Sequence, residues 1–186
     1  SILVGGSRAE LTGDLVPRRA AGGKLTALGI NLLAKNVSVD AQGTIKDPVD
    51  VDRIEFRGEA SMEEQRVDIT DLVVMAGNTG VRLRGIITGG DESPGIQVAG
   101  RLRDVSDELL KKLWPPIMTP RTRAWINENV VSGRITEGTF QVNFPANAMA
   151  RALRDRVLPD KVVDVSFTME DVTTRYFKSL PVLTGA

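Results

Sequence analysis

The sequence contains no cysteine and no histidine. Disulfides are therefore excluded, as are thiol enzymes, Ser-His-Asp triads and zinc sites of the usual kind. The commonest general base and metal ligand are both missing. The lack of cysteine suits an oxidising compartment, where stray thiols are a hazard. Neither sign of charge predominates, with 24 basic against 24 acidic residues. The basic residues form only short clusters, such as Arg18-Arg19 and Lys111-Lys112. That is not the basic stripe of a nucleic-acid binder, so no nucleic-acid partner is expected. No run approaches the ~18–20 apolar residues of a membrane span. Ile2 to Val4 is too short for a signal-peptide core. If the protein works outside the cytoplasm, its targeting signal is expected elsewhere in a longer chain. Gly5-Gly6, Gly22-Gly23 and Gly89-Gly90 lack the context of phosphate loops and read as turns or bulges.

What is present suits one folded domain of 186 residues that is 41% hydrophobic and only 4% aromatic. Val, Ile, Leu and Gly carry the apolar and turn roles, as in strand-rich chains. From residue 9 to 103 short stretches alternate apolar and polar residues. Leu25 to Val39 reads as strand, with Gly29 and Asn36 as breaks. In Val51 to Ala60, Ile54 and Phe56 sit two apart between charges, the period of a strand. Arg66 to Ala76 puts Val67 and Ile69 on one face, with Val73 and Met75 continuing it, while Leu72 and Val74 fall on the other. Gly77-Asn78-Thr79-Gly80 predicts a hairpin turn into Val81 to Thr88, where Val81 and Leu83 face away from Arg82 and Arg84. After the loop Gly89 to Pro94, Ile96, Val98 and Leu102 alternate with Gln97, Arg101 and Arg103.

The period changes between residues 105 and 130. Ser106 to Trp114 and Thr119 to Asn129 predict two short helices, separated by Pro115-Pro116. Residues 132–178 return to strand, helix and strand. Phe140, Val142 and Phe144 alternate in Arg134 to Phe144. Asn147 to Val157 predicts a helix with Met149, Leu153 and Val157 on one side. Val163, Val165, Phe167 and Met169 then alternate with Asp164, Ser166 and Thr168, and a last strand is expected over Val172 to Phe177. No crossover helices link the strands, so antiparallel pairing is expected. The fold class is mainly β, an antiparallel curved sheet with two or three short helices.

Chemistry-bearing groups are sparse. The carboxylate pairs Glu63-Glu64, Asp91-Glu92, Asp107-Glu108 and Glu170-Asp171 read as solvated surface. Adjacent strand residues point to opposite faces, so Glu170-Asp171 is poorly placed for glycoside hydrolysis. Asp91-Glu92-Ser93 lacks the ligand spacing of a calcium loop. No cofactor, metal or enzymatic activity is expected. The signal that remains is one-sided alternation. Its apolar faces could close on each other as a sandwich, a structural or interaction module with no ligand. Otherwise they could line a curved trough for acyl chains.

Leu109 to Ala146 resembles the AsmA-like proteins of Gram-negative envelopes, specifically the large YhdP-type branch. The resemblance rests on Trp114-Pro115, then Pro120-Arg121-Thr122-Arg123-Ala124-Trp125, then Gly133-Arg134-Ile135 and a strand ending in Phe144-Pro145. Leu158-Pro159, Val162-Val163-Asp164-Val165, Tyr176 and Leu180-Pro181 extend it downstream. The resemblance covers about the last eighty residues, and the first hundred fit only as generic strands. It implies a U-shaped β groove within a bridge across the periplasm. The parent would carry an inner-membrane anchor elsewhere, with neighbouring segments continuing the sheet. The groove would shield phospholipid between the inner and outer membranes. This chain would then be an internal or C-terminal portion. Its lining would be Ile54, Phe56, Val67, Ile69, Val73, Val81, Leu83, Ile96, Val98, Phe140, Val142, Val163, Val165 and Phe167. The helices around Trp114 and Trp125 would plug a sheet edge.

Overall fold

The computed structural model describes residues 2–4, 7–39, 49–106, 109, 128–155, 162–174 and 183–184. They form one antiparallel sheet in which spatial order equals chain order. Eight long strands make its body: β2 (Ser7–Arg19), β3 (Leu25–Val39), β4 (Val49–Ser61), β5 (Arg66–Ala76), β6 (Thr79–Thr88), β7 (Gly95–Ser106), β8 (Val130–Phe144) and β9 (Val163–Thr174). Two short strands, β1 (Ile2–Val4) and β10 (Leu183–Thr184), pair with β2 and β9. The sheet is open and curved. Among the described residues no second sheet packs on it, so the sandwich expectation is not met.

A meander of this kind needs only short turns, and the sequence supplies them. The β5–β6 loop is Gly77-Asn78, with φ +57° at Gly77. That is the first central position of a hairpin turn that wants glycine. The Gly77 N–H donates to an Asp52 carboxylate oxygen at 2.6 Å, which ties the turn to β4.

Strict alternation is broken by bulges. Between β5 and β4, Arg57 pairs with Asp71 but Gly58 pairs with Ile69, leaving Thr70 as an extra residue. An extra residue reverses the faces of everything beyond it. Leu72 and Val74 therefore share the face of Val67 and Ile69. Val73 pairs with Arg82 on the opposite face. The expectation that Val73 and Met75 continue the Val67 face is thus corrected. A second interruption falls at Asp104 and Thr136. Asp104 adopts φ +50°, which Asp tolerates better than most residues. The β8–β9 register shifts between Ile135 and Glu137, and Val105, Ile135 and Met169 become neighbours across three strands. By strict alternation Val105 would share the face of Arg103. Instead Val105 is buried and Ile135 has no exposure at all.

β3 is one continuous strand through Gly29 and Asn36, the latter at φ +53°. β9 is also continuous, where two strands were expected over Val162–Met169 and Val172–Phe177. β2, not singled out in the sequence, pairs along β3 from Glu10 to Arg19. The helices expected over 106–114 and 119–129, with Trp114 and Trp125, fall almost wholly outside the described residues. One contact of the first is described: the Leu109 N–H donates to Ser106 Oγ at 3.2 Å, as at a helix N-cap.

The helix α1 (Ala148–Asp155) lies between β8 and β9. It buries Ala148 and Ala152, one turn apart, rather than the predicted Met149-Leu153-Val157 side. Leu153 is 59% exposed, and Val157 is outside the described residues. Ala148 packs with Phe144 and Val162, against Ile96, Val142 and Met149. This cluster closes one end of the apolar face. A polar clasp fixes the helix to the β6–β7 loop. Asn147 Oδ1 accepts from the N–H groups of Glu92 (2.8 Å) and Ser93 (3.2 Å). In return Ser93 Oγ accepts from the Ala150 N–H at 3.1 Å, taking the place of a local cap. Replacing Asn147 with Ala leaves two loop N–H groups without this acceptor. We expect a loss of about 1–3 kcal/mol in urea unfolding. An unchanged midpoint would show that water replaces the clasp at no cost.

Candidate functional site: an open apolar face

In an antiparallel sheet directly paired residues lie on the same face. Following the pairs from β2 to β9 yields four rows across the sheet. The first runs Pro17, Leu28, Ala60, Val67, Ile87, Ile96, Phe144. The second runs Leu15, Ile30, Gly58, Ile69, Gly85, Val98, Val142, Val163. The third runs Gly13, Leu32, Phe56, Leu72, Leu83, Gly100, Phe140, Val165. The fourth runs Leu11, Ala34, Ile54, Val74, Val81, Leu102, Gly138, Phe167. No charged side chain, hydroxyl or amide interrupts these rows.

Of the fourteen residues expected to line a groove, all but Val73 fall in these rows. The reading along single strands missed Leu72 and Val74, which the bulge turns inward. It also missed Leu11 and Leu15 on β2. Their signal was present as Leu11, Gly13, Leu15 and Pro17 at period two. Pro17 obscured it, although proline is tolerated on an edge strand.

Among the described residues nothing covers the rows between β4 and β7. Ile69 is buried, and the row residues of β4, β6 and β7 are partly buried, each keeping some exposure. Leu11 and Leu15, at the β2 edge, are 42% and 59% exposed. Eight strands spaced ~4.8 Å apart, with four rows ~6.7 Å apart, cover very roughly 800 Å². Contiguous apolar patches on soluble monomers rarely exceed a few hundred Å². A face this large calls for a covering ligand, membrane or protein.

Glycines let neighbouring strands approach closely on the apolar face. A Cβ added at Gly85, on the apolar face, would collide with the Gln97 carbonyl oxygen of β7. One added at Gly100 would meet the Arg82 carbonyl oxygen at 2.7 Å and the Phe140 ring at 2.5 Å. Gly13 and Gly58 have equivalent conflicts with Asn31 and Asp68 carbonyls. In each case the neighbouring backbone comes so close on the apolar side that a side chain there would displace the adjacent strand. Phe140 lies over Gly100 and Phe56 over Gly58, filling the space left by the missing side chains.

The opposite face is charged and largely paired. Arg18 meets Glu59 at 2.9 Å, Arg53 meets Glu55 at 2.6 Å and Arg66 meets Asp68 at 2.6 Å. Asp71, turned outward beside the extra residue Thr70, receives Arg82 at 2.7 Å and Arg57 at 3.2 Å. Hydrogen bonding from Arg82 holds the Asp71 carboxyl below its ordinary range, and the charges of Arg82 and Arg57 add to this. The sign follows from linkage. A carboxylate with a lowered folded-state pKa stabilises the fold above its unfolded value of about 3.9, and that contribution fades as pH falls through the lower folded value. Thermal melts of the parent and Asp71→Asn should therefore differ at pH 6 and converge on acidification below about pH 4. A constant difference across that range would mean that the ion pairs do not contribute to stability. Two depressions of about 650 and 600 Å³ are lined from both faces, the first by Arg82, Arg101 and Thr139 with Leu102 and Phe167, the second by Arg84, Gln97 and Gln141 with Val98 and Val142.

The described residues thus define a structural class, an open antiparallel meander with one apolar and one charged face. No family model, curated protein or solved structure matches the chain.

Proposed function

We propose that this chain is a segment of a lipid-transport protein and shields the acyl chains of phospholipid along its apolar face. The observation that carries this reading is the run of four uninterrupted apolar rows across a sheet with no second layer among its described residues. A sheet satisfies its backbone polar groups internally, so its side chains can face hydrocarbon without a hydrogen-bonding penalty. Each CH₂ removed from water contributes about 0.8 kcal/mol, so a two-tailed lipid gains considerable stabilisation. The rows run across the strands and repeat similar chemistry every ~4.8 Å. A tail moving along a row exchanges one aliphatic contact for another and meets only small barriers. Headgroups stay in water along the open seam.

The resemblance to the YhdP-type AsmA-like proteins supports the same reading. It adds a periplasmic setting, a parent anchored in the inner membrane, and neighbouring segments that continue the sheet. The edges are compatible with such continuation. Among the described residues, β1 pairs only with Ser7–Ala9 of β2, and β10 only with Thr173–Thr174 of β9. Unpaired edges invite further strands.

Native mass spectrometry of the purified chain, followed by lipid extraction, tests the reading. Co-purifying phospholipid at a fixed stoichiometry is the expected result. A lipid-free protein that stays empty after incubation with phospholipid micelles would overturn it.

A further inference from the structure

The charged face has one region where its pairing rule fails. Arg18, Arg53, Arg57, Arg66 and Arg82 each contact a carboxylate. Among the described residues Arg84, Arg101 and Arg103, on the adjacent strands β6 and β7, contact none. Moreover, Arg101 is directly opposite Arg82 in the register. Like charges in that position destabilise a sheet, and Asp71, the carboxylate on Arg82, is already shared with Arg57. The acids nearby do not resolve the excess. Glu137 is opposite Arg103, yet no ion pair within 4.0 Å forms between them, and Asp104 occupies the bulge.

We propose that this region binds a phosphate-type oxyanion, with Arg101 at its centre. Arg82, Arg101, Thr139 and Ser166 form one continuous cross-strand row on the charged face. All four border the 650 Å³ crevice, together with Arg103. Arg84 is diagonal to Arg101 across the β6–β7 pair, a separation of about 7–8 Å. The guanidinium groups supply forked donors suited to phosphate oxygens, and the two hydroxyls supply further donors beside them. A bound dianion would supply the counter-charge that Arg101 lacks beside the paired Arg82. The site is on the face opposite the apolar rows, so it stands or falls separately from lipid shielding.

Isothermal titration of pyrophosphate into the purified chain at low salt tests this. We expect saturable binding that Arg101→Gln weakens about tenfold. Arg66→Gln removes an arginine already occupied by Asp68 and should leave binding unchanged. In the absence of ligand, Arg101→Gln should melt no lower than the parent, because it relieves a like-charge contact. No saturable binding, or equal binding by the two variants, would overturn the site. Vesicles containing phosphatidic acid then identify the source of the phosphate. Displacement of bound pyrophosphate assigns a lipid headgroup, and its retention assigns a soluble phosphate ester. Either result keeps the same arginine chemistry.

Discussion

Val98→Asp should strip bound phospholipid from the protein, whereas Gln97→Asp, one residue away, should leave loading intact. The two positions are adjacent in sequence but lie on opposite faces of β7. Val98 sits in the second apolar row between Gly85 and Val142, and Gln97 pairs with Ile86 and Asn143 on the charged face. Losing a valine-sized apolar contact costs about 1.5–3 kcal/mol. That corresponds to roughly a ten- to hundredfold loss of affinity, before the cost of desolvating the new carboxylate is added. Quantitative lipid extraction from matched preparations gives the comparison. Circular dichroism and melting curves confirm that both variants fold, and Val98→Asn provides a milder, uncharged substitution. Equal loading of Val98→Asp and Gln97→Asp would refute an acyl-binding role for the apolar face.

Close strand approach yields the second large effect. Gly85→Ala should lower stability by about 1–3 kcal/mol, because its Cβ would collide with the backbone of β7 rather than with a movable side-chain tip. For a chain of this size that is about 2–4 °C of melting temperature per kcal/mol. Gly29→Ala is the control. Its Cβ would make only ordinary contacts with Val16, at 3.5 and 3.6 Å. Removing a glycine from a strand interior should there be neutral, or stabilising by about 0.5–1 kcal/mol. If the two variants melt alike, the close approach of β6 and β7 is not structurally required. If Gly85→Ala folds but binds less lipid, strand approach and ligand shielding are coupled.

Much of the fold was legible along single strands, and the failures have a common cause. Ile54 with Phe56, Val81 with Leu83, and Ile96 with Val98 alternate without interruption, and the structure places each pair on one face. Val73 follows the same local rule from Val67 and Ile69, but the structure places it on the other face. The difference is Thr70, an extra residue that is unremarkable in sequence. What favours the bulge there is Asp71, which reaches Arg57 on one neighbouring strand and Arg82 on the other. Those partners are 14 and 11 residues away, beyond any reading of a single strand. The same limit hid the inward turn of Val105 and Ile135. It also hid the Asn147–Ser93 clasp, whose members are separated by 54 residues.

By itself the sequence determined the period-two pattern, a hairpin turn within Gly77–Gly80 and the absence of cysteine and histidine chemistry. These follow from residue types and from the geometry of an extended backbone, which any strand obeys wherever it sits. Only the tertiary structure decided where the bulges fall, which strands share a row, and that the described oily rows bend together without a second layer closing over them. Those outcomes depend on contacts between residues far apart in the chain, and a one-residue shift in any strand would reverse the faces beyond it.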